Sequence, residues 1–556
     1  MHVIIPLSGK GERFVNAGYE QPKPLIIVDG KPMIEHVVSM FDANDRFTFI
    51  CNQEHAQNSD LLSELKRIAP AASIVVIPSH KYGPVFAVQQ CFDCIDDQKE
   101  VIVNYCDFYS YWDYPDFLEQ CHSRGAAGAI AAYRGFHPHM LGSDNYAFIK
   151  EKDQWLIAIQ EKKPFTENKM AEYASNGTYY FASGALVKRY FRELIDRKES
   201  VNGEYYVSMV YNLMVEDKLP VLVYEVPYML QWGTPGDLEE YQKWSNYFAC
   251  LAQEVQSRAT AVVPVDLLLM PMAGQGARFR AVGYDLPKPL IDVSGKAMVV
   301  QASLSLPPAK RHVFVVQKEL LANSELEAVL RSQFENLDIV SLDGLTEGQA
   351  ITCLEGLLGA LPPVDPGNNL LIGACDNGML FDAGKWATLI EDQSIDVAAF
   401  SFRHHTSSKR NPQMYGWLKV ANDSSLFPTV TAVSVKKAIS ATPAEDHAIV
   451  GAFFFRKTAY FFEALRILQE RDIRVNGEFY VDSLIDILVQ LKRHCVAFEV
   501  EEYICFGTPN DLLTYNYWQA FFHRCNWHAY SIEQDPQANQ DHPDLLERLG
   551  KRQVAS

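Results

Sequence analysis

Short apolar runs recur along the chain, separated by stretches in which apolar positions return every three or four residues. HVIIPL (2–7), FTFICN (47–52), SIVVIP (73–78) and EVIVNY (100–105) are too short for core helices and are rich in β-branched and aromatic residues, the pattern of buried strands. MIEHVVSMFD (33–42) and SDLLSELKRI (59–68) have the spacing of amphipathic helices. Their alternation predicts βα units on a mostly parallel central sheet flanked by helices, an α/β Rossmann-like fold. In such sheets ligands sit at the carboxyl ends of the strands. The segment Ser8–Phe14 follows the first predicted strand and Asp107 follows a central one, so both fall where a ligand is expected.

The pattern then repeats. LSGKGERF (7–14) returns as MAGQGARF (272–279), and PKPL (22–25) returns at 287–290. Gly83 and Gly348, Asp107 and Asp376, Gly177 and Gly451, VNGEYY (201–206) and VNGEFY (475–480), and GTPGDL (233–238) and GTPNDL (507–512) follow in the same order. The offset grows from 265 to 269 to 274, as small loop insertions would make it grow. A period this long means a duplicated domain rather than a solenoid. The expected layout is a first domain over 1–250, a linker over 251–264, a second domain over 265–525 and a polar, weakly ordered tail over 526–556.

Charge and composition narrow the chemistry. Fifty basic against 69 acidic residues, a net charge of −19, argue against a general nucleic-acid binder. No stretch reaches the roughly 20 apolar residues that cross a bilayer, and no leader pattern precedes HVIIPL. Eleven scattered cysteines fit reduced thiols and a cytoplasmic protein better than a disulfide framework. The one close pair, Cys91 and Cys94, reads as buried small residues on a helix rather than as metal ligands.

The glycine loop carries the candidate chemistry. Gly9 and Gly11 let backbone N–H groups approach an anion, and Arg13 adds a forked cation suited to phosphate oxygens. The loop lacks the third glycine of a dinucleotide fingerprint and the GK[ST] of a Walker loop. PKPL holds Lys23 between two prolines and so restricts where its ammonium can go.

A G-x-G-x-R loop followed by PKPL and GKPM, as in GKGERF…PKPLIIVDGKPM, resembles the signature of the nucleotidyltransferases that make nucleotide sugars and related activated metabolites, and the resemblance runs through both copies. It implies transfer of a nucleoside monophosphate from an NTP to a phosphorylated small-molecule acceptor such as a sugar 1-phosphate or phosphocholine, with release of pyrophosphate. The product would be an activated precursor for surface polysaccharide or a related glycan. Carried over residue by residue, it implies that Ser8, Gly9, Lys10, Gly11 and Arg13 hold the triphosphate. Lys23 would meet the α-phosphate, Gly83 would lie at the base, Asp107 would bind Mg²⁺, Lys163 would meet the acceptor phosphate, and Glu161 and Gly177 would lie by the acceptor. In the second copy Gly274, Gln275, Gly276, Arg278, Lys288, Gly348, Asp376, Lys437 and Gly451 stand in the matching places. The chemistry agrees: an acceptor phosphate is already a nucleophile at neutral pH, so cations and a metal-binding carboxylate suffice.

The chain departs from the family where many members carry a second metal-binding aspartate before Gly-Thr. Gln231 stands there in the first copy and Cys505 in the second, and a thiol is a poor ligand for Mg²⁺. The alternatives are a regulatory pseudoenzyme that binds nucleotide, and a glycosyltransferase of the GT-A type, although no D-x-D pair accompanies Asp107. The expected partners are an NTP and the phosphorylated acceptor, with no nucleic acid and no membrane; self-association is left open. VNGEYY is expected to be a turn before a helix, with Glu204 an alternative pocket residue.

Overall fold

The computed structural model describes residues 1–550 apart from 58, 258–261 and 275. Two compact units divide the chain, Met1–Ser245 and Asn246–Ser556.

Nine strands make the central sheet of unit 1: β1 (His2–Pro6), β2 (Arg46–Asn52), β3 (Ser73–Ile77), β4 (Val101–Asn104), β5 (Gly128–Tyr133), β6 (Ala147–Lys152), β7 (Trp155–Glu161), β8 (Tyr173–Phe181) and β9 (Val221–Glu225). Their order across the sheet is β3-β2-β1-β4-β8-β5-β9-β7-β6. The four apolar runs that open the sequence form the parallel half, with β1 between β2 and β4. Only β8 and β7 run against the other seven. The central strands β1, β4 and β5 are buried on both faces, which explains their continuous rather than alternating apolar runs. A core of side chains such as Ile4, Val103, Ile130, Phe181, Phe191 and Tyr211 joins the sheet to its helices.

Unit 2 repeats the arrangement strand for strand. Its strands are β10 (Leu267–Pro271), β11 (His312–Gln317), β12 (Leu337–Leu342), β13 (Leu370–Ile372), β14 (Val397–Phe402), β15 (Gly416–Ala421), β16 (Thr429–Val435), β17 (His447–Phe455) and β18 (Cys495–Glu499). They lie in the order β12-β11-β10-β13-β17-β14-β18-β16-β15, the same permutation as in unit 1.

Two features differ from the sequence reading. The helix that begins at Pro235 runs to Ser257, so the expected linker starts inside a helix, and residues 258–261 of it lie outside the described residues. The segment after Phe522 is not a loose tail. Tyr530, Ile532 and Asp535 are fully buried, and a helix over Pro543–Leu549 buries Leu545 and Leu549. Asn539 N–H donates to the Ser294 carbonyl at 2.8 Å, Tyr530 OH donates to Asp535 at 2.7 Å, and Arg548 pairs with Asp292 at 3.0 Å. The apolar residues of this segment are too dispersed to show a period, because each packs onto a surface that unit 2 has already formed. Among the described residues, no helix is long and apolar enough to cross a membrane.

Candidate active site

In unit 1 the glycine loop leaves β1 and enters a short helix, Glu12–Asn16, with Gly11 at its start in the left-handed region (φ 64°). A Cβ on Gly11 would stand 3.5 Å from Cβ of Lys23, whereas a Cβ on Gly9 would meet nothing within 4 Å. Gly11 is therefore required by backbone conformation, and Gly9 leaves open space. Asn52, at the end of β2, pins the loop by donating from Nδ2 to the Ser8 carbonyl at 2.9 Å; in unit 2 Gln317 does the same to the Ala273 carbonyl at 2.6 Å.

Lys23 sits in a 3₁₀ turn, Lys23–Leu25, entered through extended Pro22. Its ammonium donates to Asp107 Oδ2 at 2.6 Å and to the Gly233 carbonyl at 3.2 Å. Asp107 leaves β4 and leads into a small antiparallel ribbon, Phe108–Tyr111 with Tyr228–Gln231, which brings Gln231 alongside. A Cβ on Gly233 would lie 3.1 Å from Gln231 Nε2 and 3.3 Å from Asp107 Oδ2, so the amide and the carboxylate converge there.

These groups open on a cavity of about 490 Å³. Gly9, Lys10, Gly11, Arg13, Lys23, Asp107, Glu161, Gly177 and Gln231 all line it. A bulge in β8 between Ser175 and Tyr179, with Gly177 at φ 105°, turns Ser175, Asn176 and Gly177 toward it. Ser8 is buried and lies outside the lining, with its hydroxyl 3.4 Å from His80 Nε2.

Lys163 and Gly83, like Ser8, are placed outside the lining. Lys163 is exposed, and the lysine of this segment that lines the cavity is Lys162. Lys162 takes a positive φ (59°) directly after β7, its N–H donates to the Tyr146 carbonyl at 2.8 Å, and its ammonium donates to Tyr206 OH at 2.7 Å. The same turn recurs in unit 2, where Lys436 (φ 58°) donates to the Met414 carbonyl at 2.6 Å and lies over the Tyr480 ring, while Lys437 is exposed. Gly83 also lies outside the lining. A Cβ there would stand 2.8 Å from both N and O of Tyr205, and Tyr205 N–H donates to the Tyr82 carbonyl while Val85 N–H donates to the Tyr205 carbonyl. Gly83 is thus a close-approach glycine that lets the VNGEYY turn interlock with the loop before helix Pro84–Gln89. Gly348 does the same against Phe479, at 2.5 and 2.6 Å.

The geometry adds residues that the sequence pattern passed over. His80, Lys81, Tyr146, Tyr179 and Tyr206 line the cavity, together with Tyr105 and with Glu204, the alternative pocket residue of the VNGEYY turn. Nothing in the sequence points to Tyr206, His80 or Lys81, and unit 2 replaces the last two with Leu345 and Thr346. Tyr206 OH donates to Glu204, and Ser208 donates to Glu161. Burial raises the Glu161 carboxyl pKa against the opposing pull of Ser208 and Lys162. Burial also pushes the Cys106 thiol, next to Asp107, up to about 12. Asp237, beside the cavity, caps the following helix with Thr234, whose Oγ accepts from Asp237 N–H at 3.2 Å and donates to its carboxylate at 2.6 Å.

Unit 2 keeps the central pair. Lys288 donates to Asp376 Oδ2 at 2.5 Å, and the two side chains are 19% and 31% exposed against 15% and 30% for Lys23 and Asp107. Gly276 (φ 61°) lies against Lys288 as Gly11 does against Lys23, a Cβ on Gly274 would again meet nothing, and Gly451 (φ 95°) occupies the place of Gly177. Arg278 reaches Met414 Sδ at 3.9 Å. Gln275 lies outside the described residues. Cys505 stands in the place of Gln231, 3.3 Å from Asp511, and burial followed by Asp511 and Asp376 holds its thiol protonated well above the usual range.

Magnesium takes hard oxygen ligands and is held by one or two carboxylates with substrate phosphates completing its shell. Asp107 with the Gln231 amide fits such a substrate-completed site, and among the described residues no cluster of three or more His, Cys, Asp or Glu could hold a metal on its own. Asp376 with a protonated thiol fits it less well.

Comparison with known proteins bears on this site. The family described as "Nucleotidyl transferase" matches residues 2–227. The bifunctional protein GlmU of Desulfitobacterium hafniense (strain Y51) is 24% identical over 216 residues, 37% of this chain and 43% of that protein. The chain thus spans about two-fifths of the length of that curated relative. A nucleoside-diphosphate-sugar pyrophosphorylase from Vibrio cholerae RC9 aligns with 44% of this chain and 99% of its own, at 21% identity and a TM-score of 0.37. The inositol-1-phosphate CTP transferase of T. maritima aligns with 43% of this chain and 96% of its own, at 14% identity and a TM-score of 0.34.

Proposed function

We propose that unit 1, in which residues 2–227 match the nucleotidyltransferase family, transfers a nucleoside monophosphate from an NTP to a phosphorylated small-molecule acceptor, releasing pyrophosphate. The product is an activated precursor of the nucleotide-sugar kind, made in the cytoplasm for polysaccharide or related glycan assembly. The observation that carries this reading is the convergence of Lys23, Asp107 and Gln231 on one cavity that the open glycine loop and Lys162 also line.

The steps follow from the side chains present. Gly9 and Gly11 offer backbone donors to the β- and γ-phosphates, and Lys10 and Arg13 add charge. Lys162 holds the acceptor phosphate so that its oxygen faces the α-phosphorus, which replaces a search between two anions by a fixed encounter. As the new P–O bond forms and the bond to pyrophosphate breaks, charge grows on the α-phosphoryl oxygens, where the Lys23 ammonium lies within reach. Asp107, with the Gln231 oxygen, would hold Mg²⁺, which when bound neutralises phosphate charge. No general base is required. In unit 2 the same pair supports a nucleotide site of lower catalytic output, with Cys505 in place of the amide.

The test is to incubate the full chain with each NTP, Mg²⁺ and a panel of sugar 1-phosphates, phosphocholine and other phosphomonoesters, and to follow pyrophosphate. Formation of pyrophosphate with one NTP–acceptor pair supports the reading. Nucleotide binding without pyrophosphate for any pair would instead support a nucleotide sensor. Release of a nucleoside diphosphate from a nucleotide sugar would support glycosyl transfer.

A further inference from the structure

The floor of the acceptor end differs between the units at three positions that touch one another. In unit 1, Glu161 closes β7 opposite Ala147 of β6, and Ser208, second residue of the helix Val207–Glu216, donates to the Glu161 carboxylate. In unit 2, Val435 closes β16 opposite Gly416 of β15, and Asp482 is second in the helix Val481–Gln490. The frames correspond residue for residue around them: Ile159 N–H donates to Asn212 Oδ1 at 3.0 Å, and Val433 N–H donates to Asp486 Oδ1 at 3.2 Å.

The carboxylate has therefore moved from the strand to the helix. The exchange is concerted. A Cβ on Gly416 would lie 2.1 Å from Asp482 Oδ1, so Asp482 is accommodated only because the alanine of unit 1 is a glycine here. Random loss of a site would not be expected to remove a carboxylate, restore one from the neighbouring element and clear a methyl group for it. The lysine, the tyrosine and the second carboxylate recur: Lys436 lies over Tyr480 as Lys162 lies over Tyr206, and Glu478 matches Glu204, while Tyr105, Ser175, Asn176 and Tyr179 give way to Ala374, Ile449, Val450 and Phe453, a more apolar surround. Among the described residues no other residue is hydrogen-bonded to the Asp482 carboxylate, whereas Glu161 is engaged by Ser208. Burial raises the pKa of Asp482, against the pull of Lys436.

We propose that unit 2 holds a working binding site for a phosphomonoester different from the acceptor of unit 1, in which Lys436 takes the phosphate, Asp482 accepts a hydrogen bond from a hydroxyl or ammonium group, and Val435 packs against an apolar face. This extends the reading of unit 1 and rests on it only for the class of ligand. The shorter aspartate, approaching from the helix, places its oxygens differently from Glu161, and the methyl groups of Val435 stand where the strand carboxylate stood. The selected ligand therefore presents its donor toward the helix and carbon toward the strand.

The experiment uses the full chain with the acceptor grip of unit 1 removed by Lys162→Ala and Glu161→Val. Glucose 1-phosphate, glucosamine 1-phosphate, phosphocholine and glycerol 3-phosphate are titrated calorimetrically, with inorganic phosphate as reference, in Mg²⁺ and a mixture of the four α,β-methylene NTP analogues. The expected result is one site per chain that binds at least one of the four about tenfold more tightly than inorganic phosphate. Asp482→Asn, nearly isosteric, is expected to weaken that site at least tenfold with an unchanged melting profile. The reciprocal set Gly416→Ala, Val435→Glu and Asp482→Ser, with Lys436 kept, is expected to shift the ligand preference of unit 2 to that of unit 1, the latter measured separately in a chain with unit 1 intact and Lys436→Ala; a purely structural role for Asp482 would not move preference. Binding no tighter than inorganic phosphate for all four probes, or a loss of less than threefold in Asp482→Asn, would overturn the proposal. Because the readout is heat of binding at unit 2, this failure is distinct from an absence of pyrophosphate release by unit 1.

Discussion

The two units share a sheet order, a glycine loop, a lysine–aspartate pair and a lysine–tyrosine wall, yet differ at Glu12, His80, Lys81, Glu161 and Gln231 of unit 1. What they share divides into two kinds. Gly11 and Gly276, and Gly83 and Gly348, are held by backbone conformation and close approach, so any functional fate of the unit would retain them. Lys23–Asp107 and Lys288–Asp376 are not needed for a core, because both pairs are partly exposed at strand ends. Their recurrence is the stronger sign of a common chemistry. What differs lies around the proposed acceptor and metal positions, which is where two related sites would be expected to diverge.

The comparison can be broken most forcefully at the C-terminus. Truncation after Asn526 removes Tyr530, Ile532, Leu545 and Leu549, all buried in unit 2. At about 1.5–3 kcal/mol for each buried side chain, a loss on the order of 5 kcal/mol or more is expected, read as collapse of hydrogen-exchange protection in β10–β13. Gly348→Ala and Gly83→Ala come next. Each sets a side chain at positive φ and against backbone, and a cost of roughly 2–4 kcal/mol is expected. Gly348, with the tighter approach, should lose more; chemical denaturation of the two variants checks the order.

Lys23→Ala is expected to lower kcat for pyrophosphate release about 10²-fold, the scale for removing one transition-state partner. Lys288→Ala should leave that product within about threefold. A result in which Lys288→Ala abolishes activity and Lys23→Ala does not would reverse the assignment of the better catalyst. The last effect concerns acid. Burial lowers the pKa of His2 and His137 to about 4 and holds that of His139 well below the ordinary histidine value, all in unit 1. A histidine held neutral in the fold contributes stability above its unfolded pKa, roughly 6.5, and loses it as pH falls toward the folded value. At pH 5 the enclosed His137 alone would cost about 2 kcal/mol. Hydrogen exchange at pH 7 and pH 5 should show unit 1 weakening in that window.

Much of this was legible in the residues. The short apolar runs marked the strands because strands covered on both faces need no polar alternation, and the duplication was visible because markers kept their order. Lys23, Asp107 and Gln231 were found from spacing and resemblance and converge on one cavity. That Lys162 rather than Lys163 lines the cavity depends on a positive φ after β7, which no sequence pattern shows. Gly83 was read as a base contact because a glycine required by an approaching main chain looks the same in sequence as one required by a ligand. The C-terminal segment was read as loose because its anchors have no period of their own.

The interlock at Gly83 has a mechanical consequence. Tyr205 gives its N–H to the strip before helix Pro84–Gln89 and takes one back from Val85, so the two segments are clasped at two points. His80 and Lys81 stand just before one side of the clasp, and Glu204 and Tyr206 flank Tyr205 on the other. Two stretches far apart in the chain thus supply lining residues from a shared main-chain tie. Loosening that tie, as Gly83→Ala would, is expected to disturb His80, Lys81, Glu204 and Tyr206 together rather than one pair alone.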